Sequence, residues 1–455
     1  MISTILVALG MGLLGAVVFS AIGLVSGTDE TATLAPLTLL VVLVGVPAPG
    51  VLAFFLAGAV SKHMTHMIPT ALLGIPGDTM AVPLLREANL LRRLGVPHIA
   101  LHKAISGAAI AAFIAVPVAV GAAALIAPFA DQVTAVAPYV FPAAAALIAY
   151  FSRGRWAAVA GLVPMVLVIA ALQAFVTPLN GSSLSISFFL GIAIGPLVAD
   201  LFRLSSPFAR ESMREQTRRT FFLAPDVKSW KGWFPNPLKV LDRSQKTTTG
   251  ASAVVSSLTF VLSPVAMTVV LGEAVGARTK HAYHRLTTMM AVKNGVTEST
   301  YIAETLIPLV AIGLPLSPVA AGPAAPLFNA PPVYTIDAAS GESHNLHDLL
   351  SPWEFLGYGM LAVLLGVVVA YPFSMNYART AAAWVVRRLS QEAVIGTFAG
   401  LILVISVYEG GILGLLVAVT VGIFGGLMNK LLGMHAGVQF MAYYTAALFV
   451  PTLLG

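Results

Sequence analysis

The sequence predicts an all-α protein: a polytopic membrane helical bundle of about 10–12 spans, built as two inverted-topology repeats with broken or re-entrant helices. Three observations carry this. The 455 residues are 58% hydrophobic and 10% charged, with a mean hydropathy of +0.90, where a soluble domain carries roughly 25% charged residues. Runs of ~20 apolar residues recur, the length a helix needs to cross about 30 Å of hydrocarbon, where an open chain satisfies its backbone only as a helix. Finally, the basic cluster in "GAVSKHMTHM", starting at Gly58, returns in "GARTKHAYHR", starting at Gly276.

In chain order, apolar stretches place spans at 2–25, 34–60, 104–129, 133–151, 156–176 and 186–202. A second series follows at 251–275, 298–327, 352–372, 393–407, 412–428 and 438–454. The first run lacks a basic start and a small-residue cleavage site, so it reads as a retained span and not as a signal peptide. Three stretches are interrupted: 34–60 at Pro47-Ala48-Pro49-Gly50, the "LLGIPGDT" segment at 72–79, and "AIGLPLSPVAAGPAAP" at 311–326. Helix breakers at membrane depth need protein or a water-filled cavity to satisfy the freed backbone.

Positive charge orients the spans. Arg86, Arg92 and Arg93, then Arg153 and Arg155, then Arg379, Arg387 and Arg388 mark cytoplasmic loops. Between Arg203 and Lys246 stand ten Lys or Arg against four acids, an excess equal to the whole formal charge of +6. The chain therefore divides into a first membrane repeat, 1–202, a basic cytoplasmic loop, 203–250, and a second membrane repeat, 251–455. A multi-pass protein of the inner (plasma) membrane is expected, in contact with membrane lipids. A basic loop beside spans gives no reason to invoke nucleic acid. The absence of cysteine excludes disulfides, Cys-ligated zinc and thiol catalysis, and no G-x-x-x-x-G-K-S/T phosphate loop is present.

Several residue pairs lie 218 apart: Thr31 and Thr249, Lys62 and Lys280, His63 and His281, His66 and His284, Thr70 and Thr288, Gly77 and Gly295, Thr79 and Thr297. The loop charges put Thr31 outside and Thr249 inside, so the copies run through the membrane in opposite senses. Inverted repeats with Gly/Pro-broken segments at matching places point to a secondary transporter with its site near the bilayer midplane.

The chemistry expected at the repeated cluster is anion recognition. Broken helices offer N–H groups and partial positive charge to a carboxylate or phosphate, glycine lets backbone approach a ligand, and histidine titrates near neutral pH. Lys62, His63, His66, Gly77, Thr79, Lys280, His281, His284, Gly295 and Thr297 are the candidates. Asp78, Glu298 and Glu304 are candidates for coupling to H+ or Na+, because a carboxylate within the membrane is costly without a function. Asp29, Glu30 and Glu273 read as solvated acids at span ends. No metal site is expected, since no carboxylate recurs at a matching offset, and no cofactor is implied. The competing readings are a lipid-phosphate (polyprenyl phosphate) translocase and, less favoured, a membrane-embedded enzyme using Asp78, Glu298 and the histidines as acid–base groups; no enzyme motif supports the latter.

The segments "PTALLGIPGDTMAVPLL", "RRLGVPHIAL", "TLIPLVAIGLPLSPV" and "GLMNKLLGMHAG" resemble the large membrane subunit of tripartite tricarboxylate transporters, the TctA-like family. The resemblance implies an inverted-repeat helical fold and ion-driven uptake of small di- or tricarboxylates by alternating access. It also implies two partners, a small membrane subunit and a soluble periplasmic binding protein. By this resemblance Pro76, Gly77 and Thr79 belong to a first substrate loop, and Gly313, Pro315, Ser317 and Pro318 to a second. The sequence departs from the family pattern where Ser61 to His66 replace an aromatic, glycine-rich approach, where Leu316 replaces a glycine, and where an asparagine pair is absent before the second loop. These departures bear on the substrate more than on the fold.

Overall fold

The structure, a computed structural model, describes residues 2–454 apart from 153, 182–183, 206, 208–222, 224, 226–229, 261–262, 337–342 and 389–390. Part of the basic loop, including Arg210, Arg214, Arg218, Arg219 and Lys228, lies outside the described residues.

The first half opens with α1 (Ile2–Gly23), α2 (Glu30–Leu43) and α3 (Ala48–Thr65). Asp29 caps α2 by accepting the Thr31 N–H at 2.9 Å. Fourteen residues give α2 a length of about 21 Å, too short to cross a bilayer alone. Past α3 the chain runs through a π turn, Pro69–Leu73, and stops at Gly74, whose φ of 71° is left-handed. There follow the first break, a 3-10 turn at Val82–Leu84, the amphipathic α4 (Leu85–Arg93) and α5 (Pro97–Ile126). α6 (Ala130–Phe151), α7 (Trp156–Asn180) and α8 (Ser185–Ser205) complete this half.

The second half begins with α9 (Arg243–Leu258), α10 (Pro264–Arg278) and α11 (Ala282–Ala311). The single span expected at 251–275 is thus two helices. Pro264 takes the first position of α10, where its missing N–H costs nothing, and Ser263 caps it by accepting the Ala266 N–H, so a new helix starts there. After α11 come the second break, one-turn helices at Pro318–Ala321 and Ala325–Phe328, and a hairpin of two-residue strands, β1 (Thr335–Ile336) antiparallel to β2 (Ser343–His344). A one-turn helix at Leu346–Leu349 leads into α12 (Pro352–Arg388) and α13 (Gln391–Leu432). α13 is broken by non-helical Gly410 and Gly411, the point where the sequence separates two spans. The chain closes through α14 (Ala436–Tyr444), a π turn and Val450–Leu454.

Among the described residues six helices are long and apolar enough to cross a membrane: Ile2–Gly23, Ala48–Leu73, Pro97–Phe129, Trp156–Asn180, Pro352–Arg388 and Gly396–Leu432. α11 is as long as α5 at 30 residues but carries Lys293, Glu298 and Glu304, all buried. The protein is an all-α polytopic membrane bundle, with shorter helices and breaks between the long ones.

Packing relates the two halves. α1 runs alongside α3 in the same direction: Gly12 meets Ala53, Phe19 meets Gly58 and Gly23 meets Thr65. α9 runs alongside α11 in the same way, where Gln245 donates to Thr287, Thr249 meets Gly295 and Ser256 pairs with Ser299. After each break the next long helix, α5 or α12, returns through the bundle. Ser106 bonds Tyr371 while Val116 meets Gly359, so α5 and α12 are antiparallel. Matching helices that lie antiparallel are what inverted repeats produce.

Small residues make the contacts close, as expected where lipid removes the hydrophobic advantage of large ones. At Gly107 a Cβ would collide with the Ala291 carbonyl, so α5 and α11 touch backbone to backbone. One apolar core joins α1, α3, α5, α11 and α12; a second joins α6, α7, α8, α13 and α14.

The register of the repeat is 239, not 218. Ile68-Pro69, Gly74 and Pro76 match Ile307-Pro308, Gly313 and Pro315. Both glycines are left-handed, at 71° and 74°, and each match ends a buried helix on a carbonyl of the matched proline, Pro69 or Pro308.

Candidate functional site

α3 carries Lys62 and His63 on its last turn, His66 follows directly at its C-terminal cap, and all three side chains are fully buried. Each has met a carboxylate. The Lys62 ammonium donates to Glu30 Oε1 of α2 at 2.8 Å and to Asp78 Oδ2 of the first break at 2.8 Å. His66 Nδ1 also reaches Asp78 Oδ2, at 2.8 Å. His63 Nδ1 lies 3.1 Å from Glu298 Oε2 on α11, and its Nε2 lies 3.6 Å from Glu30 Oε1. The Tyr301 ring stands edge-on to His63 with centroids 4.6 Å apart. The cluster therefore draws on four elements and on both repeats.

Charge counting decides what this cluster attracts. Glu30, Asp78 and Glu298 contribute three negative charges, Lys62 one positive, and the imidazoles none or one each. With its carboxylates ionised the cluster runs from −2 to 0. It is not the cationic anion seat that residue types alone suggest, because every cation is already paired. Glu30 in particular is buried at 1% exposure, not solvated at a span end. Its burial follows from Lys62, 32 residues away, which needs a counter-charge in a site closed to water.

Among the described residues Glu30, His66 and Asp78 bring donor atoms within 4.8 Å of one another, close enough to share an ion. Lys62 Nζ is bonded to two of the three. Several lone pairs and ring nitrogens remain without a hydrogen bond: Glu30 Oε2, His63 Nε2, His66 Nε2, Glu298 Oε1 and the Tyr301 hydroxyl.

The breaks are self-satisfied. At the first, Asp78 Oδ1 accepts the Ala81 N–H at 3.1 Å, Ser26 donates to the Pro76 carbonyl, and Gly77 lies so close to His66 that a Cβ there would sit 2.5 Å from its carbonyl oxygen. Thr70 accepts the Gly77 N–H. Thr79 is exposed and donates to Asp29 Oδ2 at 2.9 Å. At the second break, Glu304 Oε2 accepts the Val319 N–H at 3.0 Å, and Ser317 both accepts from Ala320 and donates to the Glu304 carbonyl. Asn345, from the loop after β2, donates to the Gly313 carbonyl at 2.9 Å. Pro315 is buried among these groups. The helix-start N–H groups expected to face a ligand are thus held by the protein's own carboxylates and hydroxyls.

The second basic cluster does not join the first. Lys280 and His281 are exposed just before α11, and His284 is partly exposed 3.5 Å from Asp242. Fourteen residues of helix put His284 about 21 Å from Glu298 along α11. Gly295 packs against Thr249 and the Gly107 backbone, and Thr297 bonds Thr268 at 2.8 Å. Both serve helix contacts away from the breaks.

Sequence reasoning missed a second buried cation. Lys293 donates to Glu87 of α4 at 2.9 Å, to the Pro83 carbonyl and to Glu273 of α10 at 3.2 Å. A lysine inside an otherwise enclosed helix was the available signal. A cavity of about 880 Å³ lies elsewhere, among Gln173, Asn329, Tyr408, Glu409, Tyr443 and Tyr444. Its one carboxylate, Glu409, is taken up by the Ile186 and Ser187 N–H groups at the start of α8.

The family model for the Tripartite tricarboxylate transporter TctA family matches residues 9–437. The chain belongs to this family. It is accordingly a multi-pass transport component of a tripartite system. Within this TctA-family chain the match covers both breaks and the whole buried cluster. No curated protein and no solved structure matches it.

Proposed function

We propose that this chain moves a small organic anion of the di- or tricarboxylate class by alternating access between its two repeats, and that protons drive the movement through the buried cluster. The family match supports the substrate class. The observation that carries the coupling is the contact of His63 with Glu298, which joins α3 of one repeat to α11 of the other inside a fully buried charge network. Any rocking of one repeat against the other must break or remake that contact. Its strength depends on whether the imidazole is charged, so protonation and conformation are linked.

Glu30, Lys62, His66 and Asp78 set the field in which His63 exchanges its proton. Substrate carboxylates would compete at the breaks with Asp78 and Glu304 for the amides those residues now hold, next to Thr79 and Ser317. A small subunit beside it in the inner membrane and a soluble binding protein in the periplasm complete the assembly, with the basic segment between α8 and α9 on the cytoplasmic side.

The test is uptake of labelled citrate or succinate into proteoliposomes under an imposed pH gradient, a sodium gradient, or neither. Proton-driven accumulation is expected, falling at least about tenfold in His63→Gln if an essential acid–base group is lost. Accumulation that is indifferent to both gradients refutes coupling. Saturable binding of a polyprenyl phosphate with none of either carboxylate refutes the substrate class.

A further inference from the structure

We propose that the Lys62 ammonium is a tethered cation: it fills a buried seat for a small monovalent cation formed by Glu30, Asp78 and His66, so the natural chain takes no free cation there and loss of the lysine side chain opens the seat.

Geometry comes first. The ammonium bonds two carboxylates at 2.8 Å each, one from α2 and one from the first break, and these atoms with His66 lie within 4.8 Å of each other. Two acids from separate elements converge on one Nζ and both are fully enclosed, whereas of the two acids that meet Lys293 one, Glu273, is half-exposed. Capacity comes second. Glu30 Oε2 is buried and unpartnered, and His66 Nδ1 reaches the same Asp78 oxygen as the ammonium, so the seat offers donor atoms beyond the two oxygens that the ammonium engages. Charge comes third. Removing the ammonium leaves Glu30 and Asp78 without their lysine in a site closed to water, and a cation of charge +1 restores the count that Lys62 supplied. Being covalently held, the ammonium cannot leave the seat, and what remains free to exchange in the cluster is protons.

The inference rests on reading the cluster as the coupling site, but its test uses neither substrate nor a gradient. Thermal unfolding of the purified full-length chain in detergent is followed in choline, sodium, potassium and ammonium chloride at equal ionic strength and pH. The natural chain is expected to unfold at the same temperature in all four. Lys62→Ala should unfold several degrees lower in choline and recover saturably in at least one small cation, as for any ligand that binds only the folded state. Lys62→Met, whose side chain fills the space without charge, should not recover. The proposal is overturned by a sodium-specific shift in the natural chain, by a Lys62→Ala response no larger than that to choline, or by equal recovery of Lys62→Met. A Lys62→Ala chain that folds in none of the salts also counts against it, because a seated cation would have replaced the lost charge. Failure of proton-driven uptake with this salt pattern intact would remove the coupling mechanism and leave the seat.

Discussion

Lys62 and Lys280 stand in the same short motif, and their surroundings make them opposites. Lys62 is fully buried between two carboxylates, whereas Lys280 projects from the loop before α11. Breaking a buried pair from one side typically costs about 3–5 kcal/mol, because the partner charge is left without compensation. An exposed lysine with no structural bond usually costs less than about 0.5 kcal/mol. Denaturation in choline buffer should therefore separate Lys62→Ala from Lys280→Ala by several degrees, and equal destabilisation of the two would mean that Lys62 is not buried as described. Residue type alone flagged Lys62, His63, His66, Asp78 and Glu298, since charge within apolar sequence is costly and stands out. It did not flag Glu30. A carboxylate at the start of a short helix looks solvated until α2 is folded against α3, and that contact is long-range.

At the scale of elements, the breaks were legible as breaks and illegible as a repeat. Proline and glycine mark where a helix must stop, which is why the segments around Pro76 and Pro315 read correctly. The basic motif suggested a register of 218 because letters matched, but a lysine is equally compatible with a helix interior and a loop. The Ile-Pro-x-x-x-x-Gly-x-Pro pattern is tied to a geometry, a left-handed glycine closing a helix, so it holds the register at 239. Substituting that glycine should be measurably costly: at Gly313, φ 74°, alanine is expected to lose about 1–2 kcal/mol. Ser317→Ala removes the cap of the following turn and should lose about 0.5–2 kcal/mol. Alanine at Gly357, a helical glycine with open space around its Cβ position, is the control and should be neutral or slightly stabilising. Unfolding midpoints of the three variants check this, and a Gly313→Ala midpoint at or above that of Gly357→Ala would show that the second break does not need its left-handed residue.

For the whole molecule, the two breaks differ in access although they share a pattern. Ile75 and Thr79 at the first are exposed, while Gly313, Pro315 and Ser317 at the second are buried. Under the proposed alternating access, two copies of one motif in unlike surroundings are what a carrier open to one side would show, since its pseudo-symmetric state would open the other break and close this one. The Lys293 bonds to Glu87 and Glu273, which tie α4 of the first repeat to α10 and α11 of the second, must then loosen or re-form during the exchange. The chain has no cysteine, so single cysteines report access directly. Thr79→Cys sacrifices only an exposed hydrogen bond to Asp29 and should react with a water-soluble maleimide many times faster than Ser317→Cys. Holding the protein in the opposite state, by the proposed carboxylate substrate or by a pH that shifts the His63–Glu298 contact, should slow Thr79→Cys and speed Ser317→Cys together. The two rates must move reciprocally, because one rearrangement governs both. If they rise or fall in parallel, the breaks open as independent loops, and the two repeats do not work as alternating halves of one carrier.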